Sequence, residues 1–227
     1  MAPQQLFHVD LFYDLMSPYS FVAFETLSRL ERSGEWPIKL SFRPVHIAAL
    51  FKESGNRPPI FQSPLKGPYL YADLQRAVKH YCLPTIRMPE NFAEILSTKS
   101  SLNAMRVLLA VEASSERAKL PEAIRLFYHR FFHEQKGIFT DEDFREVLTQ
   151  AKVNAADAVI LESKQPQFKQ QLIENTKMAS SYNAFGAPWI VVHTPDGKEE
   201  CFFGSDRLPY IADLIGVPFD VKAISKL

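Results

Sequence analysis

Cysteine is scarce in this chain: Cys82 and Cys201 are the only two among 227 residues. They lie far apart and outside any C-x-x-C, so there is no disulfide framework and a reducing compartment is expected. Both are expected to be buried bystanders, as free cysteines often are. An excess of charge is also missing, since 26 Lys+Arg balance 26 Asp+Glu. A neutral chain offers no basic footprint for nucleic acid and no strong attraction to anionic membranes. No apolar run approaches the ~20 residues that span a bilayer. A phosphate-binding Gly-rich loop and a G-x-S-x-G elbow are both absent, which removes support for nucleotide and ordinary serine-hydrolase readings. His129 and His133 stand four apart, as two helical metal ligands would. Arg130 follows where a zinc protease carries Glu, and no third ligand is in view, so no metal is expected.

The ends of the chain carry separate expectations. Met1 to Gln5 is short and polar, with neither an apolar signal core nor an Arg-rich presequence. Ser225-Lys226-Leu227 is the tripeptide read by the soluble peroxisomal import receptor, so a peroxisomal location with that receptor as partner is expected.

What is present is material for a core: 46% hydrophobic and 12% aromatic residues. Leu6 to Asp14 is a nearly continuous apolar run, as in a strand buried on both faces. After Ser17-Pro18-Tyr19-Ser20, the residues Phe21, Phe24, Leu27 and Leu30 recur along one helical side, and Gly34 stands where a left-handed cap would end the helix. Ile38, Leu40 and Phe42 alternate with polar residues, giving a second strand that ends near Pro44. From about Val45 to Asn183 the period is helical throughout, with a capping-box signal from Thr140 to Asp143. Asn56 to Pro68, rich in Pro and Gly, is expected to be an ordered loop rather than a helix. Beyond Gly186, Trp189 to His193 is a short apolar strand, Pro195-Asp196-Gly197 a tight turn, and Glu200 to Phe203 its hairpin partner. A last helix, Leu208 to Ile215, is expected to be capped by Ser205 or Asp206.

Three junctions carry chemistry. Ser17-Pro18 sits between a strand and its helix, where unpaired amides and the positive end of the helix dipole favour an anion such as a thiolate. A thiol near pKa ~8.5 is only a few per cent ionised at neutral pH, and lowering its pKa by two units needs about 2.7 kcal/mol. A helix terminus supplies about 0.3–1 kcal/mol, or ~2 when partly buried, and a hydrogen bond to a charged group roughly 1.5–3 kcal/mol. The two together suffice, with the Ser17 hydroxyl as donor; a plain N-cap role would account for Ser17 equally well. At Gly186-Ala187-Pro188-Trp189, Pro188 opens a strand. A cis peptide there would turn the Ala187 amide and carbonyl outward to pair with an extended peptide, whereas a trans proline at a strand edge is the commoner arrangement. At Ser205-Asp206-Arg207, amides could hold a carboxylate while Asp206 holds an ammonium group; routine capping is the alternative.

Ser17-Pro18-Tyr19-Ser20 occupies the place of the C-P-Y-C-type motif of thioredoxin-like oxidoreductases, with Ser for both cysteines. Together with Leu11-Phe12-Tyr13-Asp14 it resembles the start of a kappa-class glutathione transferase. Ser54-Gly55-Asn56-Arg57-Pro58-Pro59, Lys66-Gly67, Leu102 to Arg106, Ala184-Phe185-Gly186-Ala187-Pro188 and Phe203-Gly204-Ser205-Asp206-Arg207 extend the likeness along nearly the whole chain. The resemblance implies an α/β protein with a DsbA-like architecture: a thioredoxin-like domain over residues 1–45 plus 184–227 and an inserted all-helical domain over 46–183. It implies a homodimer with glutathione as co-substrate and no other cofactor. Ser17 would hydrogen-bond the glutathione sulfur beside Pro18. Asn56 and Lys66 would contact the glycyl end, and Ala187 would pair through its backbone before Pro188. Ser205 and Asp206 would hold the γ-glutamyl group, with Arg207 nearby or reaching across a dimer interface. The family often has Leu before that proline; a backbone contact survives the change to Ala187.

The expected activity is transfer of glutathione to a small apolar electrophile, or reduction of a peroxide. A glutathione-dependent isomerase of the 2-hydroxychromene-2-carboxylate type is the first alternative. A non-catalytic adaptor or chaperone with a degenerate redox motif is the second. A serine pair cannot form a disulfide, which sets thiol–disulfide exchange aside.

Overall fold

The computed structural model describes residues 6–221; the Ser225-Lys226-Leu227 expectation lies outside them. Strand β1 (Phe7–Tyr13) leads through helix α1 (Pro18–Ser33) to β2 (Ile38–Pro44). Nine helices then intervene before the sheet resumes: α2 (Ile47–Ser54), α3 (Pro59–Gln62), α4 (Lys66–His80), α5 (Phe92–Thr98), α6 (Leu102–Ala113), α7 (Leu120–Phe132), α8 (Asp141–Gln150), α9 (Ala156–Ser163) and α10 (Pro166–Ser181). The hairpin β3 (Trp189–His193) and β4 (Glu199–Phe203) follows, and α11 (Leu208–Ile215) comes last among the described helices.

The sheet order is β2-β1-β3-β4. Parallel strands cannot be joined by a tight turn, and α1 is the crossover between β1 and β2. The β1–β3 pair is antiparallel, with Phe12 opposite Trp189. Being central explains the unbroken apolar run of β1. Val9, Leu11 and Tyr13 face a large core shared with α1, α6 and α7, while Phe12 faces the other way. There it packs with Ala179, Ala187, Trp189 and Val191, as the two-residue side-chain period requires. The larger core runs without a break from the sheet into the helices between β2 and β3.

Local signals explain the ends of α1. Ser17 is its N-cap, Pro18 its first residue, and Gly34 closes it at φ 73°, donating to the Glu31 carbonyl. Thr140 and Asp143 form the expected capping box at the start of α8. The last two strands and the Pro195-Asp196-Gly197 turn are also where the periodicity puts them.

Three expectations are corrected. Asn56 to Pro68 is not one loop: it holds α3, and α4 has already begun at Lys66. Pro59 opens α3 and Pro68 sits in the first turn of α4, where the amide that proline lacks has no helical partner in any case. The cysteines are exposed, not buried. Cys201 lies on the edge strand β4, and Cys82 lies beyond the end of α4 in a left-handed conformation, φ 52°. Finally, neither Ser205 nor Asp206 caps the last helix through its side chain. Gly204 at φ 100° lets β4 turn straight into a 3₁₀ turn over Ser205–Arg207, and α11 starts beyond it with Pro209 in its first turn.

Candidate functional site

The antiparallel pairing of β1 with β3 brings the end of one strand beside the start of the other. Ser17 and Ala187, 170 residues apart, meet there: the Ser17 hydroxyl donates to the Ala187 carbonyl at 2.9 Å. The same oxygen accepts from the Ser20 amide at 3.2 Å. Both readings of Ser17 are thus compatible in one atom, which caps α1 while its proton points across to the neighbouring strand. The peptide between Ala187 and Pro188 is cis. Gly204 donates from its amide to the Pro188 carbonyl at 3.1 Å, tying the β4–α11 turn to the same spot.

These groups open onto a cavity of about 1290 Å³. Ser17, Pro18, Asn56, Ala187, Pro188, Ser205 and Asp206 all line it; Lys66 and Arg207 are not among its lining residues. Ser17 is only 6% exposed, so a ligand reaches its hydroxyl from the cavity side. The far wall is largely apolar and includes Ile60, Leu70, Met88, Phe92 and Leu96. A cavity of this size exceeds the ~300–1,000 Å³ typical of small-molecule sites, leaving room for two partners.

Asn56 bridges two segments. Its side-chain amide donates to the Phe185 carbonyl at 2.8 Å, and its oxygen accepts from the Arg57 amide and from Gln62. Lys66 is exposed and bonds the Gln62 side-chain oxygen. Arg207 pairs with Asp206 at 3.4 Å and lies 5.7 Å from the centre of the Tyr210 ring. The Ser205 side chain is buried and Asp206 is exposed. Gly204 is required here: a Cβ on it would stand 2.5 Å from the Asp206 carboxylate, in a backbone region side chains avoid.

Several residues of the site were not legible beforehand. Tyr19 donates to Asp73 on α4 at 2.7 Å, and burial followed by the Asp73 carboxylate pushes its phenol well above the usual range. Tyr81, just past α4, donates to the Ser205 carbonyl at 3.0 Å; burial, helped by Asp206, pushes it up to about 12. Asp14 is fully buried at the end of β1, and burial raises its pKa against the opposing pull of the Met16, Ile47 and Ser101 hydrogen bonds. The one advance signal was a charge closing an apolar strand; the tyrosine contacts link distant segments and leave no local pattern.

His129 and His133 stack with ring centres 4.9 Å apart, and His129 faces Glu134 at 3.2 Å. Among the described residues no group of three or more His, Cys, Asp or Glu could hold a metal ion. No helix among them is long and apolar enough to cross a membrane.

The arrangement is thus a hydroxyl at a helix N-terminus, the backbone carbonyl it donates to beside a cis proline, and a carboxylate-bearing turn around one cavity. Comparison with known proteins bears on the fold and the family. The model of the DsbA-like thioredoxin domain matches residues 8–216. A solved 2-hydroxychromene-2-carboxylate isomerase superposes with a TM-score of 0.73 at 21% identity, covering 92% of this chain and 94% of that one, a likeness of fold. Glutathione S-transferase kappa 1 of Caenorhabditis elegans is 37% identical over 92% of this chain and 91% of its own length. The Homo sapiens glutathione S-transferase kappa 1 is 38% identical over 92% and 90%. With that identity over 92% of this chain, on a DsbA-like thioredoxin fold, the chain belongs to the kappa class of glutathione transferases.

Proposed function

We propose that this protein activates glutathione as its thiolate and transfers it to a small apolar electrophile. The observation that carries the reading is the Ser17 hydroxyl, held at the α1 N-terminus and aimed at the Ala187 carbonyl on the wall of the cavity. An extended tripeptide lying along Ala187 offers its own amide to that carbonyl, as an added strand does. The Ser17 hydroxyl is then free to donate its hydrogen bond to the sulfur, whose own proton leaves to solvent, while the Ser17 oxygen keeps the Ser20 amide. Hydroxyl and helix end together meet the roughly 2.7 kcal/mol needed for a two-unit fall in thiol pKa. The sulfur lone pair forms the bond to the electrophilic carbon, and the leaving group departs with its electron pair. Reduction of a peroxide uses the same thiolate, which attacks one peroxide oxygen and releases the other as the alcohol, and a second glutathione then closes the disulfide with loss of water.

In this reading Asp206 receives the γ-glutamyl ammonium group beside the amides of the Ser205 turn, and Asn56 receives the glycyl end. Lys66 and Arg207, at the rim rather than in the wall, act as longer-range attraction for the two carboxylates. The homodimer implied by the resemblance belongs to the same proposal and is checked by sedimentation. So does peroxisomal import, checked with fluorescent fusions carrying or lacking Ser225-Lys226-Leu227. The isomerase reading shares the fold, and the kappa-class relatives favour the transferase.

The test is a pH titration of the thiolate's ultraviolet absorbance with glutathione bound to the wild type and to Ser17→Ala. The wild type is expected to lower the thiol pKa by one unit or more, and Ser17→Ala to bind glutathione but lose that shift. A wild type that binds no glutathione defeats the proposal and leaves the adaptor reading.

A further inference from the structure

We propose that Asp14 is the positioning residue of the Ser17 turn, its carboxylate and carbonyl together fixing the direction of the Ser17 hydroxyl. The proposal rests on the reading of Ser17 as the partner of the thiolate.

Five donors converge on this one residue. Its Oδ1 accepts from the Met16 amide at 2.9 Å and from the Ser101 hydroxyl at 2.8 Å. Its Oδ2 accepts from the amide of Ile47, the first residue of α2, at 3.1 Å. Its carbonyl accepts from the Ser17 amide at 3.0 Å and from the Tyr128 hydroxyl at 3.2 Å. Side chain and main chain of Asp14 therefore hold two successive amides, that of Met16 and that of the Met16–Ser17 peptide link. That link sets the extended backbone of Ser17, φ −96° and ψ 112°, from which its hydroxyl reaches Ala187.

The remaining donors come from elsewhere in the chain. Ile47 itself lines the cavity. Ser101 precedes α6, and Tyr128 lies on α7. One carboxylate thus sets the Ser17 turn against α2 and against the helices that follow. Its hydrogen bonds come from two backbone amides and a hydroxyl, not from a cation. A buried carboxylate so placed is costly unless each oxygen is satisfied, and here both are. A reacting group misplaced by about 1 Å loses on the order of 10²-fold in rate, so a group that holds Ser17 in register acts on the rate, not on affinity.

Asn is the informative replacement. Both carboxylate oxygens accept backbone amides, so an Asn side chain must turn its NH₂ toward one of them whichever way it is flipped. With a small aromatic electrophile as probe, Asp14→Asn is expected to lower kcat about 10–100-fold. It should raise the thiol pKa of bound glutathione by about one unit, and leave glutathione affinity within roughly three-fold, since the Ser205–Asp206 turn is untouched. Ser101→Ala removes one donor and keeps the charge, so its effect has the same direction and is smaller, about 2–5-fold.

A thiol pKa that falls in Asp14→Asn would mean the carboxylate acts only as an unfavourable neighbouring charge, and overturns the proposal. A lower melting temperature with kcat and thiol pKa unchanged means a structural role alone, and also overturns it. Should Asp14→Asn fail to fold, Ser101→Ala decides: an unchanged kcat and thiol pKa count against Asp14. A wild type that does not depress the thiol pKa defeats the Ser17 reading first, and this proposal with it.

Discussion

The phenol of Tyr81 donates a 3.0 Å hydrogen bond to the carbonyl of Ser205, 124 residues away. Its ring is mostly buried, and its pKa of about 12 keeps it a donor at every working pH. The bond links the end of α4 to the turn that offers Asp206 to a ligand. Tyr81→Phe removes only the oxygen. A net hydrogen bond is worth about 0.5–1.5 kcal/mol, so glutathione affinity measured by calorimetry should fall roughly 2–10-fold. With Ser17 untouched, kcat should be unchanged.

Gly204→Ala tests the other side of that turn. The added methyl would sit 2.5 Å from the Asp206 carboxylate, at a backbone φ of +100°. The strain alone is worth about 1–3 kcal/mol, and displacing Asp206 adds to it. Glutathione affinity should drop by roughly tenfold or more, and the melting temperature should fall.

Acid stability should depend on Asp143. Burial raises its pKa, yet the Phe139 and Thr140 hydrogen bonds and the Arg130 guanidinium at 2.7 Å outweigh burial and hold it below the ordinary 3.8. A depressed folded pKa gives stability that is present above 3.8 and lost as pH falls through the folded value. Urea unfolding at stepped pH should show that loss in the wild type and a flatter profile in Asp143→Asn. At neutral pH that variant should be less stable by about 1–3 kcal/mol, because it weakens both the α8 capping box and the Arg130 pair.

Both cysteines should be accessible in the native protein. A chromogenic thiol reagent should titrate two thiols per chain without denaturant. Cys201 should react slowly near neutral pH, since burial, only partly offset by Trp189, pushes its thiol up. Blocking both should leave the glutathione thiol pKa unchanged, because neither residue lines the cavity.

How far the chain could be read in advance follows from the range of the interactions. The β1 run, the Ser17-Pro18 start and Gly34 end of α1, and the Thr140–Asp143 box are all written within a few consecutive residues, and all are found. Asn56 to Pro68 holds helix where its prolines suggest loop, because proline breaks a helix interior but not a first turn. The start of α11 lacks the expected side-chain cap because Gly204 turns the chain before Ser205 can act. Exposure of Cys201 depends on β4 being an edge strand, which its own sequence does not say. Asp14 and Tyr81 matter through partners such as Ser101, Tyr128 and Ser205, and such contacts exist only once the chain has folded.

The ladder that sets Phe12 opposite Trp189 also fixes how far Ser17 stands from Ala187. None of the residues between α2 and α10 takes part in that ladder. Outside the contacts that α2, α6 and α7 make with Asp14, the spacing of the reactive pair is therefore insulated from the length and composition of the intervening helices. The wall facing it, built from α4 and α5 among others, is made of just those helices. Changes that reshape the pocket for a new acceptor can accumulate there without disturbing the hydroxyl that prepares the sulfur, so the two halves of the reaction can be altered one at a time.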